Sequence, residues 1–244
     1  MSTELAYLDD TMQFESVAYV VSIDVPPGSP SEVIVLDSTI FYPQSGGQPT
    51  DVGTITKNDG SVFEISKVSF YDGLVSHAGT TVSGKFTSAD TVELHIDGTR
   101  RMNHARLHTG GHLVMTAVDR VLGLPAVKGY HFPDGPYVEF NGTIDVAKRE
   151  ETLASLQALL DSLVAEDSAV TARFISLDDL KAEGVYVPSE IPVGKPTRVV
   201  ITAGYKSPCG GTHVSRLGEL RGLQIKSMKN KSGKTRVSYT VDNV

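Results

Sequence analysis

The chain has a single cysteine, Cys209, among 244 residues. No intramolecular disulfide can form, and a reducing compartment such as the cytoplasm is expected. It also lacks any run of roughly 18 consecutive apolar residues, the length a membrane-crossing helix requires, so no membrane association is expected. The opening MSTELAYLDDTMQFES has neither the apolar stretch of a secretory signal nor the acid-poor character of a transit peptide. Positive charge is in deficit: 22 Lys and Arg against 29 Asp and Glu leave a net charge of −7. That balance argues against a protein that coats nucleic acid without selectivity, though a local basic patch can still dock one. Internal repeats and low-complexity tracts are missing as well. A 40 % apolar content and a mean hydropathy of −0.08 describe an ordinary globular chain, large enough for one big domain or two modest ones.

The first 97 residues are strand-like. SVAYVVSIDV, EVIVLDSTIFY, SVFEISKVSFY, LVSHAGTTV and TVELHID are rich in β-branched and aromatic residues and separated by PPGSP, NDG and DG turns. Short strands at this spacing predict a small antiparallel barrel. At Asp97-Gly98 the pattern becomes helical, with apolar residues at helical intervals from Met102 to Leu122. A second helix is predicted from Asp145, its cap, to Glu166, with Val146, Leu153, Leu156, Leu160, Leu163 and Val164 as its apolar stripe. A third, short one follows the Ser176-Leu-Asp-Asp179 cap and stops at Gly184. VGKPTRVVITAG and LRGLQIKSMKNKSGKTRVSYTV read as strands. The expected class is α+β, a barrel over 1–97 followed by an α+β domain over 98–244.

Two motifs carry chemistry. His104, His108 and His112 lie on one predicted helix, and residues four apart share a helical face, so two imidazoles can converge on one ion. Both His104–His108 and His108–His112 have this spacing; Gly110 and Gly111 beside the second pair suit a close approach to the metal, which selects His108 and His112. In SPCGGTHV, Cys209 and His213 repeat the four-residue spacing on a bend. A thiolate with imidazoles suits zinc. Thr109 occupies the place where the H-E-x-x-H metalloproteases have their glutamate base. The site therefore lacks the carboxylate for peptide hydrolysis, and its chemistry leans toward esters.

With FYPQSGGQPTDVG, these motifs resemble the editing domain of alanyl-tRNA synthetases and its free-standing AlaX relatives. The resemblance runs through IDGTRRMNHARLHTGGHL, CGGTHV and IKSMKNKSGKTRVSY, and so covers most of the chain. With no nucleotide-binding or aminoacylation segment, and a translation-factor-like barrel in front, the chain is similar to the medium-length free-standing form.

The resemblance implies hydrolysis of the ester joining serine or glycine to the 3′ end of alanine tRNA. It implies one zinc ion at His108, His112, Cys209 and His213, which either polarises a water or anchors the amino acid's amine. Gln48 matches the family's glutamine and is expected to orient water or the terminal ribose. Main-chain groups of Gly46 and Gly47, or of Gly210 and Gly211, can serve a developing oxyanion, with Thr212 also at the substrate. Between Arg221 and Val241 there is no acid, and Lys226, Lys229, Lys231, Lys234 and Arg236 are candidate phosphate contacts, as is Arg101 near the metal helix. His77, His95 and His131 read as structural, His104 as second to the metal or facing solvent, and Tyr130, Phe132, Tyr137 and Phe140 as core. Gly-Gly-Gln also occurs in peptide release factors, but those surround it with basic sequence and have no such metal motifs. Editing of seryl-tRNA for threonine, and a zinc-stabilised tRNA binder without catalysis, are the rival functions.

Overall fold

A computed structural model describes residues 2–28, 31–185 and 197–243. Residues 29–30 of the expected PPGSP turn, and 193–196 of the expected strand beginning VGKP, lie outside them. The chain divides into two compact units, Met1–Asn103 and His104–Val244.

The first unit holds β1 (Glu4–Leu5), β2 (Glu15–Asp24), β3 (Glu32–Leu36), β4 (Ser38–Thr39), β5 (Gly53–Thr56), β6 (Val62–Tyr71), β7 (Leu74–Ser83) and β8 (Thr91–Ile96). Six of them close an antiparallel barrel in the order β2-β3-β7-β6-β5-β8. Alternation decides which side faces in. In β8 Val92, Leu94 and Ile96 are buried, and they join Ile34, Leu36, Ile55, Phe63, Val68 and Val75 in one core. The Asn58-Asp59-Gly60 turn joins β5 to β6 as its composition predicts, with Gly60 at φ 84°. Phe41 and Tyr42, expected to extend a strand, lie buried beyond β4 instead.

Helix α1 (Gly98–Leu122) begins four residues earlier than the apolar pattern suggests. Asp97 supplies the reason: its Oδ1 accepts the Arg100 N–H at 2.9 Å, capping the first turn. Gly123, in the left-handed region at φ 64°, ends it. The division between the two units falls inside this helix.

Arg101, on the first turn, corrects one sequence expectation. It is fully buried in the first unit, donating from Nε to Asp51 Oδ2 at 3.0 Å, from Nη1 to the Thr11 carbonyl at 2.9 Å and from Nη2 to the Ile40 carbonyl. No phosphate can reach it, and its charge serves the interior.

The second unit continues with β9 (Ala126–Tyr130), β10 (Tyr137–Asn141), α2 (Arg149–Glu166), β11 (Thr171–Ile175), α3 (Leu177–Ala182), β12 (Thr197–Thr202), β13 (Tyr205–Pro208), β14 (Gln224–Lys231) and β15 (Lys234–Thr240). These form a four-stranded sheet, β14-β15-β10-β9, and a three-stranded one, β11-β12-β13. The predicted α2 stripe is buried at Leu156, Leu160 and Leu163, but Val146 is exposed because Asp145 caps a short 3-10 turn ahead of the helix. Ser176 caps α3 by accepting the Asp179 N–H at 3.1 Å, as read from the sequence. The 126–141 segment, read only as core aromatics, is a β-hairpin pair. Of its four aromatics only Phe140 is buried; Tyr130, Phe132 and Tyr137 are half-buried and stack on one another.

Candidate metal centre

Helix α1 and the loop after β13 build the site. Positions 108 and 112 lie one turn apart on a buried face of α1, so both imidazoles project the same way, their ring centres 5.1 Å apart. The loop brings His213 to within 4.5 Å of the His108 ring centre and 4.7 Å of the His112 ring centre. Cys209 Sγ lies 3.5 Å from His108 Nε2 and 3.3 Å from His213 Nε2. One donor atom from each of His108, His112, Cys209 and His213 falls within 4.8 Å of all the others. The sequence separates the two halves by about a hundred residues; the fold closes the gap.

These donors fit a tetrahedral ion. Bonds of about 2.0–2.3 Å place the donor atoms of a zinc site about 3.3–3.6 Å apart, close to the sulfur–nitrogen separations here. The electrostatics agree. Burial, reinforced by His213 and other neighbours, holds His108 well below the usual imidazole range; burial also leads for His213, and it pushes His112 to about 4. All three rings are therefore neutral near pH 7, the form that coordinates. Burial raises the Cys209 thiol, while the Gly211 N–H, 3.3 Å from Sγ, works in the opposite direction.

The loop is held in shape by Arg198, whose Nη1 donates to the carbonyls of Cys209 at 3.1 Å and Gly211 at 2.9 Å. Sequence reading missed it. Gly211 and Thr212, expected at the substrate, are buried, and the Gly211 N–H already faces the sulfur, which leaves it unsuited to an oxyanion. Gly210 is exposed, and the space a Cβ would fill there is open.

His131, read as an ordinary structural histidine, belongs to this cluster. Its ring stacks on His108 at 4.6 Å, and its Nδ1 lies 2.6 Å from the Tyr239 hydroxyl, which in turn donates to the Leu107 carbonyl at 2.8 Å. Burial lowers its pKa to about 3. This explains the adjacent glycines differently from the sequence expectation. A Cβ on Gly111 would sit 2.5 Å from His131 Nδ1, and one on Gly110 2.9 Å from Val241. The glycines admit neighbouring side chains of the second unit. His104 is buried, not solvent-facing.

In the first unit, Ser45 to Gln48 forms a tight turn: the Gln48 N–H donates to the Ser45 carbonyl at 2.8 Å, and Gly46 and Gly47 have φ of 54° and 79°. Glycine takes both of these successive left-handed positions without strain. The main chain at Gly46 is exposed, whereas Gln48 is fully buried, so its amide is not presented to solvent.

A protein named alanyl-tRNA editing protein AlaX-M from Methanosarcina barkeri is 31 % identical over 98 % of this chain and 98 % of its own. The chain belongs to the AlaX-M family. The namesake from Methanosarcina acetivorans is 28 % identical over 97 % of this chain and 98 % of its own. An alanine–tRNA ligase of Halobacterium salinarum is 31 % identical over 91 % of this chain, which matches 24 % of that longer protein. The family of class II (A) tRNA synthetases matches residues 19–100, the barrel of this AlaX-M relative.

The basic residues near the C-terminus fall on the β14–β15 hairpin. Its strands bury Met228, Thr235, Val237 and Tyr239 on one face and expose Lys229, Lys231, Lys234 and Arg236 on the other; Lys226 is also exposed. Lys231, Ser232, Lys234, Arg236 and Glu139 line an open groove there. Arg236 is already engaged, 2.6 Å from Glu139 and 3.9 Å above the Tyr137 ring. No helix among the described residues is long and apolar enough to cross a membrane.

Proposed function

We propose that this protein is a trans-editing hydrolase of the cytoplasm that cleaves the ester of serine or glycine mischarged onto alanine tRNA, in a zinc-dependent manner. The observation that carries this reading is the match to an alanyl-tRNA editing protein over 98 % of this chain, combined with a three-imidazole, one-thiol donor set built from this chain's H-x-x-x-H and C-x-x-x-H motifs. His108, His112, Cys209 and His213 would hold the zinc. When bound, the ion would supply a positive charge at the largely buried donor cluster, where an ester carbonyl, a water or an α-amine can be polarised or anchored.

The chain's own groups do the remainder. The neutral imidazoles need no proton release to accept the ion, and Arg198 fixes the loop that carries two of the four donors. Exposed Gly210 leaves room for the amino acid and its ester. In the first unit, the exposed main chain of Gly46 and the half-buried main chain of Gly47 are proposed to contact the tRNA end, with buried Gln48 holding the turn in that shape. Lys226, Lys229, Lys231 and Lys234, with Arg236 in a supporting role, are proposed to meet tRNA phosphates.

Deacylation of Ser- and Gly-charged alanine tRNA, measured beside Ser-charged threonine tRNA, tests the assignment. Turnover of the first two and not the third is expected. Equal turnover of Ser-charged threonine tRNA would move the substrate, and no turnover by the zinc-loaded protein would overturn the reaction.

A further inference from the structure

We infer that Thr109 is a positioning residue for the metal centre: its hydroxyl fixes the tautomer of His213 and docks the ligand loop onto helix α1. The inference rests on reading the four donors as a metal site, but not on the identity of the tRNA.

The argument is a count of one hydroxyl's hydrogen-bonding capacity. Thr109 is fully buried, and a hydroxyl has one proton to give and two lone pairs to receive. Its Oγ1 lies 2.8 Å from the Ala105 carbonyl, which can only accept, so the proton goes there. The two remaining positions face the Val214 N–H at 3.1 Å and His213 Nδ1, also at 3.1 Å. With the hydroxyl proton committed to Ala105, Nδ1 must carry the hydrogen of the His213–Thr109 contact. A neutral imidazole protonated at Nδ1 has its lone pair on Nε2, and Nε2 is the atom that lies 3.3 Å from Cys209 Sγ. The same hydroxyl therefore chooses which nitrogen is free to coordinate and holds the main chain of the next residue against the helix. Thr109 stands where the H-E-x-x-H proteases carry a catalytic glutamate; in this chain the position faces away from solvent and acts through His213.

The test uses the full chain. In the metal-free protein, long-range nitrogen–proton NMR should show His213 protonated at Nδ1; a proton at Nε2 would overturn the inference with no variant needed. Zinc affinity, measured by competition with a chromophoric chelator and without tRNA, should fall by about 10–100-fold in Thr109→Val, while Thr109→Ser stays within about threefold of the parent. Cobalt-substituted Thr109→Val should also lose intensity in the thiolate-to-metal band relative to Thr109→Ser. Parental affinity in Thr109→Val, or equal losses in the two variants, would overturn it. Failure of the parent to deacylate any tRNA while these metal readouts hold would count against the proposed function alone.

Discussion

A Cβ at Gly111 would stand 2.5 Å from His131 Nδ1, so the α1 backbone and the His131 ring occupy one slot that no side chain can share. Gly129 closes the slot from the other side, where a Cβ would lie 2.9 Å from the same ring's Cε1. Replacing Gly111 by alanine should push His131 off His108 despite the better helix propensity of alanine. The expected outcome is a destabilisation of about 1–3 kcal/mol, typical of overpacking, with weakened zinc binding. Urea unfolding and chelator competition measure the two. An alanine variant as stable as the parent would show that the ring has room to move.

A buried pair inside the first unit makes a second prediction. Removing Arg101 by Arg101→Ala leaves the Asp51 carboxylate buried without its cation, and the expected cost is about 3–5 kcal/mol. The salt dependence of tRNA binding by the folded variant should be unchanged, since Arg101 never meets solvent. A reduced salt slope would restore it to the phosphate contacts.

The exposed lysines should behave in the opposite way. Lys231→Ala with Lys234→Ala should leave the urea midpoint within error and weaken tRNA binding. The slope of log affinity against log salt should fall by about one per lost phosphate contact. An affinity indifferent to salt in the parent would remove the hairpin from the binding surface.

His77 carries a pH dependence of the barrel. It is fully buried, with Nδ1 3.0 Å from the Ile34 carbonyl and Nε2 2.8 Å from the Thr39 hydroxyl. Burial lowers its pKa from 6.5 to about 4. The unfolded chain takes up a proton at this residue near pH 6.5, whereas the folded chain resists until about 4. Stability is therefore fully present above pH 6.5 and is lost as the pH falls toward 4. The expected loss over that window is about 3 kcal/mol. Chemical unfolding across this range should show the decline, and His77→Gln should flatten its share of it. A ring seen by NMR to titrate near pH 6.5 would contradict this.

The barrel was legible because each of its strands has one face in the core, so its residues alternate; the two metal motifs were legible because four-residue spacing is local. What the sequence could not show has a common physical origin. Strand β11 is exposed along most of its length and so carries no alternation. Thr109 and His213, or His131 and Tyr239, are more than a hundred residues apart in sequence and meet only through packing. Arg101 looks like any arginine in a basic stretch, since nothing local records that Asp51 awaits it. Gly110 and Gly111 suggested an approach of substrate or backbone to the metal, but the groups that approach them are side chains of the same unit.

The lone thiol of this chain has a practical corollary. Because Cys209 is the only thiol that can react and it stands within the donor set, a colorimetric thiol assay reports on that one position without any mutagenesis. Labelling that is slow with zinc present and fast after chelation would read out occupancy directly. An oxidant would likewise find no other thiol in the chain to consume first, so loss of the thiol signal after peroxide treatment reports on this one position.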